Sequence, residues 1–208
     1  MKRMERVPNA CAAVLAAGAS TRMGTCKLTR PFAGSTLLER ALRAARGCAA
    51  AETVVVTGAH RDAVARSAQE LGAREAFNPS WEHGQSTSVR TAARFAAARG
   101  YDLLLVMVAD QPYVEAAHLD ALLRAYAKGG THACVTQGAQ RRGNPCLFDR
   151  TCFPLLEELE GDEGARSMLR AHPELAVRAV PAADARVLDD VDTSDEHARI
   201  EEAILRGR

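Results

Sequence analysis

The chain has 208 residues, 47% of them apolar and 4% aromatic, and a formal net charge of +1. That length suits one α/β domain spanning residues 1–208, with ample material for a buried core. The balanced charge argues against a nucleic-acid or membrane-surface partner, since both draw on a basic excess.

No apolar run approaches the roughly 20 residues of a membrane helix. Residues 1–8 are charged and lack the apolar stretch of a signal peptide, so the expected location is the cytoplasm. The six cysteines form no CxxC pair and no zinc spacing, which predicts buried, reduced thiols. Cys26 is the exception, because it falls in a loop where it is expected to be accessible.

In chain order, Cys11–Ala16 is a short apolar strand ending near glycine, and Ser35–Cys48 has helical spacing. Thr53–Thr57 is a β-branched buried strand, Asp62–Leu71 a helix, Arg74–Phe77 a short strand and Ser86–Ala98 a helix. Asp102–Val108 carries the strongest strand signal, followed by a helix over Val114–Ala127 and a strand over Ala133–Thr136. Cys146–Phe148 reads as a short strand, with Pro145 suited to a sheet edge. Helices over Thr151–Leu159 and Glu163–Ala171, strands over Ala176–Val180 and Arg186–Leu188, and a closing helix over Ser194–Leu205 capped by Ser194 or Thr193 complete the pattern. Strand–helix alternation of this kind predicts a doubly wound, mainly parallel sheet with helices on both faces. Ligands then bind beyond the carboxyl ends of the strands.

The loop after the first strand reads Leu15-Ala16-Ala17-Gly18-Ala19-Ser20-Thr21-Arg22-Met23-Gly24-Thr25-Cys26-Lys27. Small residues let backbone N–H groups approach a phosphate, and Arg22 and Lys27 add positive charge. The loop is neither a Walker A sequence nor GxGxxG. The bland alternative is an ordinary turn with two solvated bases. Asp110 closes the strongest strand, where a ligand group is expected; the alternative is an Asp at the start of the next helix. Asp190 and Asp192 project to one side of a strand end, and either also qualifies as an N-cap of the last helix.

The Leu-Ala-Ala-Gly-x-Ser-x-Arg-Met-Gly-x-x-Lys loop resembles the signature of the MobA-like nucleotidyltransferases. Further segments resemble the same family in the same order: Asn78-Pro79-x-Trp81-x-x-Gly84-x-Ser86-x-Ser88, Asp110-Gln111-Pro112, Gly143-Asn144-Pro145, Gly161-Asp162-x-Gly164-Ala165-Arg166 and Asp190-Val191-Asp192-Thr193. Within the family the likeness is greatest to the molybdenum cofactor cytidylyltransferases (MocA-like) and their relatives in xanthine dehydrogenase maturation.

The resemblance implies a three-layer, Rossmann-like fold of the nucleotide-diphospho-sugar transferase type. It implies that Leu15, Ala16, Ala17, Gly18, Arg22, Lys27, Gly84, Ser86 and Ser88 hold the nucleotide, with Arg22, Lys27 and Asp110 in the catalytic roles. Asp110 would ligate Mg²⁺ with Asp192, or with Asp190 in its place, because Mg²⁺ takes one or two carboxylates and completes its shell with phosphates and water. Asn78, Gly143, Asn144, Pro145 and Arg166 would border the acceptor, with Arg141 and Arg142 neutralising its phosphate; Trp81 either joins them or covers the core. MobA-like members that use guanine carry Gly-Gly where this chain has Ala17-Gly18, which favours the smaller base of CTP.

The expected reaction moves CMP from CTP to the phosphate of molybdenum-loaded molybdopterin, with a molybdoenzyme or its chaperone as recipient. A sugar 1-phosphate or another phosphorylated metabolite as acceptor, GTP as donor, and a non-catalytic cofactor-holding chaperone are the alternatives. A dehydrogenase is disfavoured by the missing GxGxxG.

Overall fold

A computed structural model describes residues 7–20 and 26–207. The strands are β1 (Val7–Leu15), β2 (Pro31–Phe32), β3 (Ser35–Thr36), β4 (Ala50–Thr57), β5 (Arg74–Phe77), β6 (Leu103–Val108), β7 (Ala133–Gln137), β8 (Arg142–Asp149) and β9 (Val177–Pro181). The α-helices are α1 (Leu37–Gly47), α2 (Arg61–Glu70), α3 (Gln85–Ala98), α4 (Ala116–Ala127), α5 (Phe153–Glu157), α6 (Ala165–Ala171) and α7 (Ser194–Arg206).

Seven strands form one sheet in the order β5-β4-β1-β6-β8-β7-β9, and β2 with β3 makes a separate two-residue ribbon. β8 alone runs against its neighbours; the other pairings in the large sheet are parallel. Three layers result because β1 alternates its side chains between two cores. Ala10, Ala12 and Val14 face the core beneath α1, α2, α4 and α7. Cys11, Ala13 and Leu15 face the core beneath α3, α5 and α6. Alanine on both faces of β1, an interior strand, lets the helices pack close to the sheet.

Three expectations need correction. Ser35 does not open α1: it pairs in the small ribbon, and Thr36 caps the helix by accepting from the Glu39 backbone N–H at 3.1 Å. Arg186–Leu188 is not a strand but part of a 3₁₀ turn over Ala185–Leu188, started by Asp184, whose carboxylate accepts from the Arg186 backbone N–H. Pro145 is not on a sheet edge. β8 lies between β6 and β7, and the ladder to β7 steps from Val135–Cys146 to Thr136–Gly143, so Asn144 and Pro145 bulge out. Pairing with β6 also stops at Cys146, so no ladder needs the missing N–H of Pro145.

All six cysteines are free thiols, and five are buried. Burial raises the pKa of Cys11 and of Cys146 to about 12. Cys26 is half-buried and leans on the core, so it is less accessible than its loop position suggests. No helix among the described residues is long and apolar enough to cross a membrane.

Candidate active site

The neighbouring parallel strands β1 and β6 end side by side. The Ala109 backbone N–H donates to the Leu15 carbonyl at 3.1 Å, and that of Ala16 to the Val56 carbonyl at 3.0 Å. The first-strand loop and Asp110 therefore emerge together at the carboxyl edge of the sheet. His60 braces the loop, its Nε2 lying 3.0 Å from the Ala19 carbonyl oxygen. Ser20, at φ 53°, turns so that its Oγ accepts from the Lys27 backbone N–H at 3.2 Å.

Lys27 reaches the centre of the site. Its Nζ donates to Asp110 Oδ2 at 2.7 Å, to the Val191 carbonyl at 2.7 Å and to Asp192 Oδ1 at 3.0 Å. Burial is the largest influence on this ammonium and opposes its charge. Asp110 and then Asp192 together outweigh it and hold the pKa above the ordinary lysine value. A backbone bond from the Val191 N–H to the Asp110 carbonyl at 3.0 Å fixes the Asp190–Thr193 segment beside the β6 end.

The two candidate second carboxylates differ. Asp192 shares Lys27 Nζ with Asp110, so both carboxylates converge on one point. Asp190 is held elsewhere: Gln111 Nε2 donates to its Oδ1 at 2.9 Å, and Arg141 lies 3.5 Å from its Oδ2. Burial, and next the charge of Asp110, raise the pKa of Asp190, while Gln111 and Arg141 oppose the rise. Two carboxylate oxygens facing one point beside open space suit a hard divalent cation that completes its shell with phosphate and water. Among the described residues no group of three or more His, Cys, Asp or Glu side chains forms a larger metal site.

Two clefts meet at Asp110 and Asp192. The first, of about 300 Å³, is lined by Leu15, Ala16, Ala17, Gly18, Lys27, Gly84 and Ser88, with Trp81 on its wall. The second, of about 600 Å³, is lined by Gly143, Asn144 and Arg166, together with Arg141, Arg170 and Asp190. The Asn144–Pro145 bulge carries Asn144 into this cleft, where its Oδ1 is buried without a partner.

Several expected site residues lie elsewhere. Arg22 falls outside the described residues. Asn78 lines neither cleft: it is 1% exposed, donates to Thr87 Oγ1 and Ser88 Oγ, and accepts from the Ser80 N–H, so it ties the loop to α3. Ser86 is fully buried and its Oγ faces neither cleft, although its backbone N–H donates to the Gly161 carbonyl at 3.1 Å. Pro145 is buried, its carbonyl accepting from Thr136 Oγ1 at 2.7 Å. Arg142 turns away from Arg141 and pairs with Gln137.

Gly84 takes φ +97°, and a Cβ there would stand 2.2 Å from the Gly161 carbonyl oxygen. Its glycine is thus required by the turn packed against it. Gln85 lines both clefts, yet it occupies an unspecified position of its motif, so the motif passes over it. Arg170 is also new; only its one-turn spacing from Arg166 on α6 could have signalled it.

An open, mostly parallel sheet with paired carboxylates between a small-residue loop and an arginine-lined cleft is the layout of a nucleotidyltransferase. The chain belongs to the family of the MobA-like NTP transferase domain, whose family model matches residues 12–176. It is 31% identical to the purine catabolism protein PucB of Bacillus subtilis over 210 residues, covering 96% of this chain and 99% of PucB. It is 31% identical over 201 residues to nicotine blue oxidoreductase of Paenarthrobacter nicotinovorans, covering 93% of this chain and 97% of that protein. The crystal structure of Rv0371c from Mycobacterium tuberculosis in complex with manganese superposes with a TM-score of 0.75 at 28% identity, covering 94% of this chain and 99% of Rv0371c. The relatives' names describe different activities, so similarity alone carries no substrate to this chain.

Proposed function

We propose that this protein transfers CMP from CTP to the phosphate of molybdenum-loaded molybdopterin, releasing pyrophosphate. The observation that carries the proposal is the convergence of Asp110 and Asp192 on one point where the two clefts meet. An acceptor phosphate oxygen forms a bond to the α-phosphorus of CTP as the bond from that phosphorus to the bridging oxygen breaks, and the electron pair leaves with pyrophosphate. The acceptor phosphate is already ionised at neutral pH, so no general base is needed. Rate enhancement comes from alignment and from charge neutralisation.

In this reading the first cleft takes the nucleotide. The backbone from Ala16 to Gly18 approaches the triphosphate, and Ala17 and Trp81 flank the base side. The Ala17 methyl narrows that side and favours a pyrimidine. Asp110 and Asp192 hold Mg²⁺, which when bound neutralises triphosphate charge. The manganese complex of Rv0371c supports a divalent cation in this family. In the second cleft Arg141, Arg166 and Arg170 offset the acceptor's negative charge, and Asn144 presents a hydrogen-bonding amide.

The test is pyrophosphate release with CTP, GTP, ATP and UTP in turn, anaerobically, with Mg²⁺ and molybdenum-loaded molybdopterin. Release with CTP in preference to the others is expected. Release only when a sugar 1-phosphate replaces molybdopterin would keep the chemistry and change the acceptor.

A further inference from the structure

Lys27 spends all three ammonium protons inside the site, on Asp110 Oδ2, Asp192 Oδ1 and the Val191 carbonyl. An ammonium has three donors and no acceptor, so none remains for a phosphate oxygen. The Lys27 side chain is 13% exposed, and it can meet a triphosphate only by giving up a present partner. Two of those partners are the carboxylates that suit a divalent cation. The ammonium and the cation therefore need the same oxygens.

We propose that Lys27 is an internal gate on cation binding. Its ammonium holds the point between Asp110 and Asp192 and keeps divalent cations out. A triphosphate offers Lys27 replacement oxygens, and the cation takes the carboxylates that Lys27 leaves. The exchange never strips the carboxylates of positive charge, a state that carries a large cost for partly buried acids held close together. Cation and nucleotide then bind as a coupled pair, each raising the other's affinity by the same factor. The inference rests on reading this site as a nucleotidyltransferase centre.

The test is Mn²⁺ binding to the full chain without nucleotide, followed by the electron paramagnetic resonance signal of free Mn²⁺. Lys27→Met is expected to bind Mn²⁺ at least about ten-fold more tightly than the wild type, within the usual span of coupling effects. Arg141→Met removes an equal charge that touches Asp190, not the shared point, and is expected to change Mn²⁺ affinity by less than about three-fold. Lys27→Gln, neutral but still able to donate, is expected to fall between wild type and Lys27→Met and decides the matter if Lys27→Met does not fold. Equal Mn²⁺ affinity in wild type and the Lys27 variants, or equal tightening by Arg141→Met, overturns the gate. The wild type releasing pyrophosphate while Lys27→Met binds Mn²⁺ no more tightly would sink the gate alone. The expected Mn²⁺ pattern without pyrophosphate release from any nucleotide would sink the transferase reading alone.

Discussion

Lys27 and Asp110 stand 83 positions apart in the sequence and meet at 2.7 Å, joining the loop after β1 to the end of β6. On the proposed reaction, removing Lys27 takes away an ammonium that could meet the phosphates, and removing Asp110 takes away a carboxylate that would hold the cation, while Lys27 keeps only Asp192 and the Val191 carbonyl. Lys27→Ala and Asp110→Ala are each expected to lower turnover by at least ~10²-fold, the scale of one lost preorganised contact. Pyrophosphate release under saturating substrate checks this, and near-normal turnover in both variants would remove the site from the chemistry.

Asp192 and Asp190 should separate in a Mg²⁺ titration. Asp192 shares its point with Asp110, whereas Asp190 is held by Gln111 and Arg141. Asp192→Asn is expected to raise the Mg²⁺ concentration for half-maximal turnover by about ten-fold or more, as loss of a direct ligand should. Asp190→Asn is expected to move it by less than about three-fold, because the Asn can still accept from Gln111.

On the proposed function base choice rests on Ala17, which is 4% exposed and lines the first cleft with Trp81. Deleting its methyl opens room on the base side. Ala17→Gly is expected to raise kcat/KM for GTP relative to CTP by about ten-fold, the lower end of what one methylene-sized change achieves. An unchanged ratio would assign base choice to other residues.

Gly84 cannot accept a side chain without moving the Gly161 turn. Gly84→Ala combines a strained φ with a backbone clash and is expected to cost about 2 kcal/mol or more, a fall in Tm of about 4–8 °C for a chain of this size. It is also expected to weaken CTP binding, because Gly84 lines the cleft proposed for the nucleotide. Thermal melts and CTP quenching of Trp81 fluorescence measure the two effects.

His118 gives the fold a pH dependence. Burial lowers its pKa below the ordinary 6.5, and its Nε2 lies 2.8 Å from Thr136 Oγ1. The unfolded chain takes up a proton near pH 6.5 that the folded chain refuses, so stability rises with pH through that window. The contribution is complete above the unfolded value and is lost as pH falls toward the folded one. Wild-type Tm is expected to drop as pH falls from about 7 through the ordinary histidine value of 6.5, and His118→Gln to flatten the drop.

The fold was legible where residues report a local period. The β-branched run of β4 and the helical spacing of α3 appear within a residue or a few of their observed bounds. Arg186–Leu188 failed because an apolar run that short carries no period, and the Asp184 cap decided its conformation. Pro145 failed because the sequence does not show which strands flank β8 or that a bulge frees the proline from the ladder. Within the site, motif residues led to Lys27, Asp110 and Asp192, but not to the single point they share. Asn78 shows the opposite limit: a motif residue whose amide is consumed in binding α3 to its loop. Gln85 and Arg170 became visible only when two segments distant in the chain closed around one cleft.

Nucleotidyl transfer can be followed by the label of CTP carrying a tagged α-phosphate. Incubation with Mg²⁺ and molybdenum-loaded molybdopterin, without oxygen, is predicted to move the label onto the pterin in step with pyrophosphate release, and Asp110→Ala to abolish the transfer. Label that stays in CTP under these conditions, with the wild-type chain folded and CTP bound, would show that the protein is not this transferase.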